Sequence, residues 1–152
     1  MGSNVRYISS KQQLIDTVGA LLDEGPNSDI MISGVWTRSL HEDIIELIID
    51  KKCCNFCKVI IPKLLFKGDI SLSLLRSVCK AEGQVRVNNS VTNNLLLINR
   101  YAFVLSFSSR LSSLNMLNSS FECAVMIEDE DTVNLIRAQL NEAFENSVLF
   151  RM

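Results

Sequence analysis

The chain has 152 residues, 47% of them hydrophobic and 21% charged, with a formal net charge of -2. That is enough material for one domain with a proper core. The mixed charge excludes the basic character of a typical nucleic-acid binder, and no apolar run approaches the roughly 20 residues that cross a bilayer.

The first helix opens at Ser10, where Gln13 three residues on completes a capping box. Behind it Leu14, Ile15, Val18, Leu21 and Leu22 repeat on one face. Gly25-Pro26 ends the helix. Asp29 to Gly34 is short and apolar with a terminal glycine, the pattern of a buried strand. Ser39 and Glu42 are spaced as a second capping box, followed by Ile44, Ile45, Ile48 and Ile49 on a second helix. The helix ends near Lys51-Lys52, whose charges suit a helix C-terminus.

Cys57 to Pro62 reads as a second strand. A third helix carries Leu72, Leu75, Val78 and Cys79 on one side and closes at Gly83. Gln84 to Asn88 reads as a third strand. Leu95 to Ile98 and Tyr101 to Phe107 follow as a hairpin, with Asn99-Arg100 as its tight turn. The Ser- and Asn-rich stretch from Ser106 to Ser120 reads as a long loop. Glu122 to Ile127 is a further strand, and Asp129 or Asp131 caps a last helix with Val133, Ile136, Leu140, Ala143 and Phe144 on its apolar face.

The expected order is therefore α-β-α-β-α-β-β-β-β-α. Alternating strands and helices imply parallel neighbours, and the hairpin implies antiparallel ones. The expected architecture is α/β, a mixed sheet with helices on both faces, in one domain spanning residues 1–152.

The segment Gln84 to Arg110 (QVRVNNSVTNNLLLINRYAFVLSFSSR) resembles the core of a phospholipase D-like half-domain. In that family H-x-K-x4-D lies in a strand–turn–strand hairpin, followed by G-S-x-N. DIMISG resembles the family's opening strand, and FECAVMIEDEDTVNLIRAQLNEAF its closing strand and helix. The resemblance lies in pattern and order, because the catalytic residues are replaced. Thr92 falls on the histidine, Asn94 on the lysine and Asn99 on the aspartate, with Ser106 to Ser109 in place of G-S-x-N. In the family the histidine is the nucleophile and the lysine holds phosphate charge. Threonine without a base is a poor nucleophile, and a neutral asparagine does not stabilise phosphate charge as lysine does. The degenerate domain is also similar to the effector-sensing regions of some archaeal and bacterial transcriptional regulators. Those carry a winged helix ahead of the sensor, whereas here the first expected strand starts by Asp29.

Outside that motif few residues point to chemistry. His41 is the one histidine, just past the first expected strand, and reads as a solvated first-turn residue whose pKa Glu42 and Asp43 would raise. Cys54-Asn55-Phe56-Cys57 is a C-x-x-C between a helix end and a strand, not at the helix N-terminus a redox pair needs. Five cysteines without regular spacing or a signal peptide fit reduced thiols in a cytoplasm. No metal or other cofactor is expected. Asn88, Asn89 and Asn93 read as turn residues. Trp36, before Thr37 and Arg38, either stacks on a ligand or lids the core.

The resemblance implies a non-catalytic domain with a regulatory role that binds a small polar ligand or a protein partner. Its cleft would be lined by Thr92, Asn94, Asn99, Ser106 and Ser108, with Trp36 and Arg38 at its edge. Family half-domains pair across a shared cleft, which implies a two-fold homodimer. Membrane association and direct nucleic-acid binding are not expected. The competing readings are a phosphodiesterase or nuclease using His41, and a purely structural interaction module.

Overall fold

The computed structural model describes residues 4–24, 28–34, 36, 38–62, 72–91, 93–109 and 119–149. Its elements in chain order are β1 (Val5–Ile8), α1 (Lys11–Asp23), β2 (Ile30–Ser33), α2 (Arg38–Asp50), a short 3-10 turn (Cys54–Phe56), β3 (Cys57–Ile61), α3 (Leu72–Lys80), β4 (Gln84–Val87), β5 (Leu95–Ile98), β6 (Tyr101–Ser109), β7 (Ser119–Ile127), α4 (Glu130–Glu145) and β8 (Val148–Leu149).

The strands form one eight-stranded sheet in the order β1-β7-β6-β5-β2-β3-β4-β8. β2, β3 and β4 are parallel neighbours, each joined to the next through a helix. The remaining pairs are antiparallel. Side chains alternate between the two faces. On one face Ile30, Ile32, Val59, Leu96, Ile98 and Phe103 pack under α1, α2 and α3. On the other Met31, Ile60, Leu95, Leu97 and Ala102 pack under Val133, Leu140 and Phe144 of α4. This is the expected mixed α/β sheet covered on both faces.

Two strands had no reading in the sequence. β1 is Val-Arg-Tyr-Ile, with only Ile8 buried, and β8 is two exposed residues. Both lie at the sheet edges, where one-sided pairing demands little apolar sequence. The stretch from Ser106 to Ser120, expected as a loop, is strand at both of its described ends. β6 runs to Ser109 and β7 starts at Ser119, with polar residues paired across them.

The helix ends show their chemistry. Ser10 Oγ accepts from the Gln13 N–H at 3.1 Å. The Gln13 side chain reaches back to the Ser9 N–H at 3.0 Å, one residue earlier than a standard box. The second expected box is corrected, because α2 already starts at Arg38 and Ser39 sits inside its first turn. There Ser39 Oγ accepts from Lys11 Nζ at 2.6 Å. Both α2 and α3 close through a left-handed residue, Lys52 (φ 58) and Glu82 (φ 72). The following N–H of Cys53 or Gly83 bonds back to Ile48 or Val78, which satisfies carbonyls left free at a helix end. Asp129 caps α4, accepting from the Thr132 N–H at 3.0 Å.

No helix among the described residues is long and apolar enough to cross a membrane.

Candidate functional site

In an α/β sheet the crevice beyond the carboxyl ends of the parallel strands is where ligands bind. Here that end is marked by Ser33, Ile61 and Val87. β5 runs against β2, with Leu95 opposite Ser33, so the residues just before β5 lie at the same end. β6 returns alongside β5 with Val104 opposite Leu95, which brings Leu105, Ser106 and Phe107 there too. The structure therefore gathers Trp36, Asn94 and Ser106 at one end of the sheet.

Gly34 makes this close assembly feasible. Its φ is 107, a conformation that side chains disfavour. A Cβ placed there would lie 2.5 Å from Asn94 Oδ1, and closer still to the Asn93 carbonyl oxygen. Ser33 Oγ donates to that same Asn93 carbonyl at 3.2 Å, and the Leu105 N–H donates to the Asn94 carbonyl at 2.9 Å. Ser106 is exposed, with its hydroxyl 3.5 Å from Glu122 Oε1.

Trp36 is buried, and its Nε1 donates to the Ser33 carbonyl at 2.9 Å. Its ring belongs to the core cluster. Its indole lies beside Phe107 at 6.4 Å and meets the His41 ring edge-on at 5.4 Å.

His41 corrects the sequence reading. It is 0% exposed, not a solvated first-turn residue. Neither ring nitrogen has a hydrogen-bond partner among the described residues. Burial pulls its pKa down to about 3, the opposite of the rise expected from Glu42 and Asp43. The signal was present in the spacing. His41 precedes Ile44 by three residues and Ile45 by four, which places it on the same helix face as these core residues.

Asn99 is a second correction. It follows β5 whereas Asn94 precedes it, so the two lie at opposite ends of the strand, roughly 16 Å apart at an extended rise. Asn99 adopts φ 52 in the hairpin turn. Its side-chain carbonyl accepts from the Asp29 N–H at 2.9 Å, and its amide donates to Ser28 Oγ at 3.2 Å. Arg137 bonds the Asn99 carbonyl and pairs with Asp29 at 2.7 Å. These contacts make Asn99 the staple of the far end. Thr92 lies outside the described residues, as do the side chains of Ser108 and Arg38.

The C-x-x-C cysteines are free and buried, and burial raises the thiol pKa of Cys53, Cys54 and Cys57. Among the described residues no three His, Cys, Asp or Glu side chains converge as a metal site. A cleft of about 720 Å³ lies between α1 and β1, lined by Arg6, Gln13, Asp16, Thr17 and Met126 among others. Another of about 470 Å³ holds Asn99, Arg100 and Arg137. Neither includes Trp36, Asn94 or Ser106.

The arrangement is that of the phospholipase D-like fold. Solved structures with this fold align along nearly the whole chain. Nuc from Salmonella typhimurium, a phospholipase D family member, matches with a TM-score of 0.64 and 10% identity over 97% of this chain and 98% of Nuc. NucT from Helicobacter pylori matches with a TM-score of 0.58 and 11% identity over 96% and 98% of the respective chains. TrmBL2, an archaeal chromatin protein with a novel mode of DNA binding, matches with a TM-score of 0.62 and 18% identity over 97% of this chain. This chain spans about half of TrmBL2, 54% of its length. No family model matches the sequence, and no curated protein matches it.

The likeness to TrmBL2 overturns one expectation. A mixed charge and a net value of -2 were read as arguing against direct nucleic-acid binding. A DNA-binding chromatin protein carries the same fold, so overall charge does not exclude that partner. Net charge sums over the whole chain and says nothing of one local surface.

Proposed function

We propose that this chain is a non-catalytic phospholipase D-like domain that binds a small, uncharged polar ligand at the carboxyl end of β2, in a regulatory role in the cytoplasm. The observation that carries this reading is the state of His41. The chain's one histidine lies on α2, outside the hairpin region where the resemblance puts the family's nucleophile, and its buried ring is neutral; the position aligned with that nucleophile holds a threonine, a poor nucleophile without a base. The position aligned with the family's lysine holds Asn94 at the same end. An amide offers neutral donors and an acceptor rather than charge. Trp36, Asn94 and Ser106 form the proposed site, with Thr92, Ser108 and Arg38 included by their place in the chain. Asn99 is withdrawn from it.

Thermal-shift screening of uncharged polar compounds tests this reading, alongside turnover of bis(p-nitrophenyl) phosphate. A ligand binding only the native state at 100 times its Kd adds about 2.7 kcal/mol of stability. The expected result is a shifted melting temperature without turnover. Phosphodiester hydrolysis abolished by His41→Ala would establish the enzyme reading instead.

A second reading, contact with nucleic acid, is favoured by the likeness to TrmBL2. It predicts that labelled duplex DNA gains anisotropy on titration, with an affinity that falls steeply with salt.

A further inference from the structure

We infer that His41 is the residue that selects the ligand of this site, by bonding a hydroxyl-bearing, uncharged small molecule through its neutral imidazole once Trp36 swings aside. This rests on the site proposed above and goes on to name its ligand class and its gate.

The argument starts from a polar group without a structural reason. His41 is wholly buried, and its neighbours on the α2 face, Leu40, Ile44, Ile45 and Ile48, are all buried and apolar. Leucine or phenylalanine would pack there without stranding a donor and an acceptor. Buried polar groups are almost always paired, and each exception calls for an explanation. Neither His41 nitrogen is paired among the described residues. Most buried polar side chains here have chain partners. Ser33 donates to Asn93, and Trp36 donates to Ser33. His41 is the exception beside the proposed site, which points to a partner from outside the chain.

Chemistry narrows that partner. A neutral imidazole presents one N–H donor and one acceptor nitrogen. Hydroxyl groups both donate and accept, so they match either edge of the ring. A carboxylate only accepts and would leave the acceptor nitrogen stranded, and inorganic phosphate brings its donor hydroxyl only together with negative charge. Such an anion would also favour a protonated ring, which burial opposes. The nearby cation Lys11 is already engaged by Asp43 at 2.7 Å and by Ser39.

Access identifies the gate. The Trp36 ring contacts His41 edge-on, and Trp36 follows the carboxyl end of β2 in the chain. The indole is tethered by its Nε1 bond to the Ser33 carbonyl. Turning the ring aside breaks that bond and its packing against Phe107 and the core, and a ligand hydroxyl can take the indole's place at Ser33.

The chain has one histidine and one tryptophan, so each half of the inference has its own spectroscopic reporter. The probes are D-glucose and myo-inositol as uncharged polyols, with inorganic phosphate and acetate as anion controls. All are kept at millimolar concentration, well below the level at which polyols stabilise proteins by exclusion. Ring 15N shifts follow His41, and intrinsic fluorescence follows Trp36. The expected result is a saturable polyol response in both reporters, with the ring shifts remaining those of a neutral imidazole. In His41→Phe the polyol response weakens at least tenfold, and His41→Leu gives the same loss should the phenylalanine variant fold poorly. A ring that responds to phosphate and not to polyols overturns the ligand class. An undiminished polyol response in the variants overturns the role of His41 and leaves the site reading in place. Silence of both reporters toward every probe also overturns the inference. The site reading fails separately, when no compound of the wider thermal-shift screen stabilises the wild-type chain.

Discussion

The burial of His41 makes stability depend on pH in a way one substitution can isolate. The imidazole has a pKa of about 3 when folded, against 6.5 as its ordinary value. Between those values the unfolded chain binds a proton that the folded chain refuses, so stability falls as pH falls. The contribution is complete above pH 6.5 and is lost progressively toward pH 3. From pH 6.5 to pH 5 is 1.5 units, and at about 1.36 kcal/mol per unit the loss is about 2 kcal/mol. The ring is 0% exposed, so solvent does not screen this cost. His41→Phe removes the titration, and it also removes two unpaired polar atoms. At pH 7 the variant should equal or exceed the wild type in stability. Asp129, whose pKa the Thr132 hydroxyl and N–H hold down, loses its contribution only as pH falls through that lowered value. The assay is urea unfolding of both proteins at pH 7, 6 and 5, followed by Trp36 fluorescence. The wild type should lose about 2 kcal/mol relative to His41→Phe between pH 7 and pH 5. Parallel pH profiles for the two proteins would refute the sealed, neutral histidine.

Gly34→Ala should cost about 3 kcal/mol in a melting experiment, because the new Cβ meets Asn93 and Asn94 in a backbone conformation that opposes it; a near-neutral effect would mean the strand end is looser than described. Asn99→Ala should cost about 2 kcal/mol through its lost bonds to Asp29 and Ser28, and it should leave ligand binding unchanged, since Asn99 sits at the far end of β5. Native-state labelling with a thiol reagent should spare Cys57, whose pKa burial raises, and modify the partly exposed Cys79 and Cys123 first; mass spectrometry of the labelled peptides decides it.

The central strands and the four helices among the described residues were legible because each carries a strong period. Leu95 to Ile98 and the Asn99-Arg100 turn fall where the pattern placed them. The edge strands were not legible, since pairing on one side leaves a four-residue or two-residue strand nearly free of apolar demand. The start of α2 was misread because Ser39 has cap chemistry but serves Lys11 instead. At the site, the resemblance implied one cleft for Asn94 and Ser106, and the structure has both at the carboxyl end of β2. The same motif arithmetic placed Asn99 with them, although a strand's length separates the ends of β5. A linear motif does not register which end of a strand each residue occupies. His41 was misjudged because residue type outweighed its place on the apolar face of α2.

The most direct test of the central claim is to map backbone amide shifts of the 15N-labelled chain while titrating the polyols, and in a parallel sample a short DNA duplex. The account predicts polyol shifts concentrated at Gly34, Trp36, His41, Asn94 and Ser106, and unmoved resonances at Asn99 and Arg137. Shifts confined to the α1–β1 cleft at Gln13, Asp16 and Thr17, or produced by DNA and by no polyol, would contradict it.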